Sequence, residues 1–124
     1  MKITVAKSAG FCFGVKNAVD TAYSNVGEDV CVLGELIHNP LVIDKLSALG
    51  VKCVNTPQSV DTKKVIIRSH GAGKEVFEYF ASKGIEVVDA TCPFVKKIHQ
   101  IVEKNHAEGK RIVILRRTDR QIKI

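Results

Sequence analysis

Two cysteines and two histidines in this chain stand in matching local settings: Cys12 in AGFCFGV, His38 in GELIHNP, His70 in RSHGAGK and Cys92 in DATCPFV. Each follows a short apolar run, sits in a Gly, Ser or Pro turn, and is followed by a helix-like stretch. In parallel α/β sheets ligands lie beyond the carboxyl ends of the strands, where residues remote in sequence converge. Two thiols and two imidazoles at such ends predict a metal or cluster site. The glycines around Cys12 permit a tight turn, and the helix behind it offers backbone amides to a thiolate; Cys92, with Pro93 opening the next helix, is set the same way. Each suits a ligand or a nucleophile, against the competing reading of a small buried hydrophobe. His38 precedes an Asn39-Pro40 helix start, and His70 lies between Arg68-Ser69 and Gly71-Ala72-Gly73, a turn whose amides suit an anion such as phosphate. The pair reads as metal ligands or as donors to a diphosphate. Cys31 and Cys53 lie inside apolar runs and are expected in the core. His99 and His106 are expected at the edge of the last helix's buried stripe.

Familiar templates fail at these positions. Gly71-Ala72-Gly73-Lys74 lacks the upstream glycine of a P-loop, and no GxGxxG fingerprint occurs. Six residues after Cys12 and Cys92 stand Ala18 and Ile98, where a CxxxxxR phosphatase loop needs arginine, and there is no CxxC pair.

The elements that must carry these residues alternate. Strands are expected at Ile3 to Ala6, Val30 to Leu33, Val51 to Val54, Val65 to Ile67, Ile85 to Val88 and Ile112 to Leu115. Between them, helical spacing joins Val15, Ala18, Val19, Ala22, Tyr23 and Val26, closed by Gly27. It also joins Val42, Ile43, Leu46 and Leu49 up to Gly50, Val76, Phe77, Phe80 and Ala81 up to Gly84, and Phe94, Val95, Ile98, Ile101 and Val102 up to Gly109. The fold class is therefore α/β, with alternating strand-helix units forming a mainly parallel sheet. Arg111 to Leu115 reads as a central buried strand with no helix after it to cover it, so the chain looks cut off.

At 124 residues the chain suits one domain with an ordinary core. Hydrophobic residues at 45% and charged residues at 26% match soluble globular proteins. The first apolar run is too short for a signal peptide and no run approaches membrane-spanning length, so the expected location is cytoplasmic with no membrane partner. Scattered cysteines then favour metal binding, catalysis or burial over disulfides. The formal charge is +6, and Arg116, Arg117, Arg120 and Lys123 supply much of it from the last nine residues. Without a basic folded face and groove-reading or aromatic elements, no nucleic-acid partner is expected.

The motifs AGFCFGV, GELIHNP, RSHG and DATCP resemble, in order and approximate spacing, those of the 4-hydroxy-3-methylbut-2-enyl diphosphate reductases, the iron-sulfur enzymes closing the non-mevalonate isoprenoid route. The resemblance covers Met1 to about Leu115, the first of three α/β domains and the start of the second. It implies that Cys12 and Cys92 are two of three thiolate ligands of a 4Fe-4S cluster, and that His38 and His70 hold the substrate's diphosphate. It further implies reductive dehydroxylation to isopentenyl and dimethylallyl diphosphate, with a ferredoxin or flavodoxin as electron donor. The family's third cysteine, third histidine and proton-donating glutamate fall downstream of Leu115, so no catalytic residue is assigned. Residues 116–124 read as a basic tail outside the family pattern, and a truncated or frameshifted reductase, inactive alone, is the expectation. Two other readings remain: a zinc module closed by Cys12, His38, His70 and Cys92, and a noncatalytic subunit completed by another chain through its exposed last strand.

Overall fold

The computed structural model describes residues 1–7 and 9–115. Helix α1 (Phe13–Ser24) leads into β1 (Val30–Leu33), followed by α2 (Pro40–Ala48), β2 (Lys52–Val54), a 3-10 turn at Pro57–Ser59, β3 (Lys64–Ile67), α3 (Lys74–Lys83), β4 (Glu86–Asp89) and α4 (Pro93–Ala107). The four strands form one parallel sheet in the order β2-β1-β3-β4. This confirms the α/β class with parallel pairing.

The sheet is covered on both faces, which is why its inner strands read as unbroken apolar runs. Alternate residues of a strand point to opposite faces. Val30, Val32 and Ile66 accordingly pack with Ala18, Val19 and Ala22 of α1 and Val42 and Leu46 of α2. Cys31, Val65 and Ile67 pack with Phe80 of α3 on the other side. Helix α2 begins where it does because Pro40 takes the first position and the Asn39 side-chain oxygen accepts from the backbone N–H of Leu41 (3.0 Å) and Val42 (3.4 Å). Helix α3 stops at Gly84, which adopts the left-handed conformation (φ 68°).

Four expectations are corrected. Residues Ile3 to Ala6 and Ile112 to Leu115 form no strand and are largely exposed. An apolar run becomes a strand only with a hydrogen-bonding neighbour, and among the described residues neither run pairs with an edge of the sheet. The link from β2 to β3 holds only the 3-10 turn, so strand and helix do not alternate there. Cys31 is buried, with the Thr62 hydroxyl donating to its sulfur at 3.1 Å, but Cys53 is exposed because β2 is an edge strand. The apolar stripe of α4 is open to solvent at Phe94, Ile98 and Ile101, and His99 and His106 are exposed with it. The basic tail, residues 116–124, lies outside the described residues. No helix among the described residues is long and apolar enough to cross a membrane.

Candidate functional site

Order β2-β1-β3-β4 means that the chain leaves β1 in one direction and returns to lay β3 on its other side. The crevice at such a reversal, beyond the carboxyl ends, is where doubly wound sheets bind ligands. Here the loops leaving β1, β3 and β4 are joined by backbone hydrogen bonds that continue past the strands. Ser69 N–H donates to Leu36 C=O at 3.2 Å, Ala90 N–H to Ile67 C=O at 3.1 Å, and Cys92 N–H to Ser69 C=O at 2.9 Å. These bonds set the positions of His38, His70 and Cys92 relative to one another.

His38 and His70 are brought together. Their ring centroids lie 5.0 Å apart, tilted by 34°. His38 Nδ1 faces Glu35 Oε2 at 3.1 Å. Both rings line a cavity of about 260 Å³ with Phe11, Val15, Ile37, Asn39 and Ser69. Desolvation, then the charges of His38 and Arg68, hold His70 below the ordinary imidazole value. With room beside it, the His70 ring is placed to take up a proton when an anion arrives.

The thiols occupy the neighbouring end of α1. Cys12 is the residue preceding that helix and Cys92 the residue preceding α4, and neither sulfur caps its own helix by a side-chain hydrogen bond. Cys92 reaches across to α1: a Cβ built on Gly14 would fall 2.3 Å from its Sγ. Cys12 thus opens the helix against whose first turn the Cys92 sulfur packs, and the unbonded N–H groups of that turn favour negative charge. Thiols in this N-terminal setting are donors of the type that could hold a soft metal centre.

Among the described residues, no three His, Cys, Asp or Glu side chains are grouped as a metal ion requires. The closed zinc set of Cys12, His38, His70 and Cys92 is therefore not formed. The imidazoles pair with each other, and His38 with Glu35.

Sequence reading missed Asp89, Thr91 and Ser69. Asp89 Oδ1 accepts from Thr91 N–H at 2.9 Å and from the Thr91 hydroxyl, while Lys96 Nζ donates to Oδ2 at 2.7 Å. Thr91 and Ser69 are buried, and Asp89 braces the turn that delivers Cys92. The signal was present in Asp89-Ala90-Thr91, because an aspartate commonly accepts from the backbone two residues on. Burial pushes Asp89 up, but the hydrogen bonds from Lys96 and Thr91 outweigh it and leave the carboxyl below its ordinary value. The stability it contributes is therefore present above the unfolded value of about 3.9 and is lost as pH falls through the lower, folded value. Urea midpoints of wild type and Asp89→Asn are expected to differ clearly at neutral pH and to converge in acid; a constant difference would remove the carboxylate from the account.

The parallel sheet, with His38, His70 and Cys92 in the loops beyond its carboxyl ends and Cys12 at the start of α1, defines an α/β protein. The family model described as LytB protein matches residues 3–120, and the chain belongs to that family. A 4-hydroxy-3-methylbut-2-enyl diphosphate reductase of Thermoanaerobacter sp. (strain X514) is 46% identical over 122 residues, spanning 93% of this chain and 42% of the relative. Its counterpart in Campylobacter hominis is 50% identical over 116 residues, spanning 92% and 42%. The solved structure of (E)-4-hydroxy-3-methyl-but-2-enyl diphosphate reductase, described as the terminal enzyme of the non-mevalonate pathway, superposes with a TM-score of 0.76 at 41% identity, over 94% of this chain and 43% of that one. The Plasmodium falciparum reductase gives a TM-score of 0.76 at 28% identity, over 82% and 33%. The chain thus spans less than half the length of the curated relatives it matches.

Proposed function

We propose that this chain supplies the amino-terminal α/β region, residues 1–115, of a 4-hydroxy-3-methylbut-2-enyl diphosphate reductase. In this reading Cys12 and Cys92 are two thiolate ligands of a 4Fe-4S cluster, and His38 and His70 bind the substrate's diphosphate. The observation that carries it is the meeting of Cys92 Sγ with the first turn of α1 beside Cys12, next to a cavity that holds both histidines. The relatives' shared activity supports the substrate class.

Each residue has a separate task. The backbone bonds from Leu36 through Ser69 to Cys92 hold the anion pocket and the thiols in one frame. Glu35 orients His38 by taking its Nδ1 proton as a hydrogen bond, which leaves Nε2 for the ligand. Phe11 and Val15 give the cavity an apolar wall against the hydrocarbon part of a prenyl diphosphate. A bound cluster would supply electrons and a Lewis-acidic iron for loss of the substrate's hydroxyl. A ferredoxin or flavodoxin as donor and a cytoplasmic location belong to the same proposal.

The test is calorimetric titration of the anaerobically reconstituted chain with inorganic diphosphate. His70 starts below the ordinary imidazole value and a bound anion raises it, so binding takes up protons and tightens as pH falls through about 6.5. His38→Ala or His70→Ala is expected to weaken it by about tenfold, the worth of one charge-assisted hydrogen bond. Diphosphate affinity that ignores both substitutions would overturn the anion assignment. Reconstitution itself should give a substoichiometric, oxygen-labile centre without turnover, and robust turnover by the isolated chain would overturn the partial-chain reading.

A second reading, a subunit completed by another polypeptide, draws support from the open apolar residues Phe94, Ile98 and Ile101 and Val113 to Leu115. A monomer that stays well folded across a wide concentration range would count against it.

A further inference from the structure

Glycine is a poor choice inside the first turn of a helix, where alanine is more favourable. Gly14 stands there all the same, two residues after Cys12, and it is buried. Its φ is not in the left-handed region, so the backbone does not require glycine. Space does. A Cβ at this position would meet Cys92 Sγ at 2.3 Å, Cys92 Cβ at 3.1 Å and the Cys92 Cα at 3.9 Å, so its three nearest neighbours all belong to Cys92. Separations under about 3.0 Å are not sustained by real carbon and sulfur atoms, so one side must move. The cysteine side chain has one rotatable bond, and its backbone is fixed by the 2.9 Å bond from Cys92 N–H to Ser69 C=O. The sulfur is therefore the part that gives way.

We propose that Gly14 is a positioning residue for Cys92: its missing side chain is the slot that seats the Cys92 sulfur against the first turn of α1, beside Cys12. The slot joins the sulfur of a residue far along the chain to the helix that Cys12 opens. Its consequence for iron-sulfur ligation rests on the function proposed above, but the seating of the sulfur does not.

The experiment separates the two. In the 124-residue chain, iodoacetamide labelling followed by peptide mapping reads the alkylation rate of each cysteine. Alkylation joins the sulfur to the acetamide carbon and releases iodide, with the thiol proton going to solvent. Gly14→Ala is expected to turn the Cys92 sulfur outward and raise its rate by about tenfold, as reactivity follows exposure, with Cys12 and Cys53 unchanged as internal standards. A thermal cycle provides the second measurement. Gly14→Ala should lower the melting temperature when Cys92 is present and raise it in a Cys92→Gly background, because only helix preference then remains. An unchanged Cys92 rate, or the same shift in both backgrounds, overturns the proposal. Iron content after anaerobic reconstitution forms the third measurement: a wild-type chain that never holds iron but keeps the labelling and thermal coupling refutes the ligand reading alone.

Discussion

Serine at Cys12 or at Cys92 is expected to cut the iron retained by the anaerobically reconstituted chain by more than about tenfold, whereas His38→Ala and His70→Ala leave it unchanged. The direction follows from chemistry. A serine hydroxyl is a harder and far weaker acid than a thiol, so it does not replace a thiolate on iron, and even outer partners of a metal ligand are worth roughly 10- to 100-fold in affinity. The difference between the two residue types follows from geometry, because Cys12 opens α1 and the Cys92 sulfur packs on its first turn, while the imidazoles pair with each other at 5.0 Å and His38 with Glu35. Iron and acid-labile sulfide assays, with the visible absorption of the reduced and oxidised samples, provide the measurement. Equal loss of iron on removing a histidine would return the four residues to a single coordination set.

Phe80→Ala should be the most damaging substitution to the fold. Its ring is fully buried and lies among Cys31, Val65 and Ile67 of the sheet with Val76 and Phe77 of its own helix. Removing a buried phenyl group typically costs about 3–5 kcal/mol, a large part of the roughly 5–15 kcal/mol that holds a small domain together. Urea unfolding followed by circular dichroism should show the midpoint collapse. Leu41→Ala makes the control, since that side chain is 72% exposed and its loss should change little. A modest shift for Phe80→Ala would mean that α3 contributes less to the sheet than its packing implies.

What the sequence disclosed follows from what a local pattern can encode. Strands β1 and β3 were legible because burial on both faces leaves an unbroken run of branched apolar residues, and the edge strand β4 from its Val87-Val88 pair. Helices α1, α2 and α3 were legible from spacing and from Asn39-Pro40 and Gly84 at their ends. Ile3 to Ala6 and Ile112 to Leu115 carry the same composition as true strands, and composition is silent on whether a partner edge exists. Phe94, Ile98 and Ile101 were read as a buried stripe by the same logic, since periodicity reports an apolar face and says nothing of what covers it.

The site divides along the same line. Placing His38, His70 and Cys92 beyond one end of the sheet needed only strand direction and a general rule for parallel sheets, whereas the strand expected before Cys12 does not form and that residue stands instead at the start of α1. Separating the thiols from the imidazoles needed the third dimension: the Gly14 contact joins residues far apart in the chain, and His38 pairs with Glu35 and with the His70 ring. The Asp89 brace lay between these cases, a local pattern whose importance appears only when Lys96 closes on it one turn into α4.

The backbone bonds from Leu36 to Ser69 and from Ser69 to Cys92 also fix where this chain tolerates a change of length. Between each strand and its histidine or cysteine, one added residue would break a bond and carry that side chain out of line with the other two. At the opposite edge of the sheet, Gly27 and Gly84 precede β1 and β4 with nothing within reach of an added Cβ. An inserted tag or probe belongs at that edge, where the chain lengthens without disturbing the distances among thiols and imidazoles.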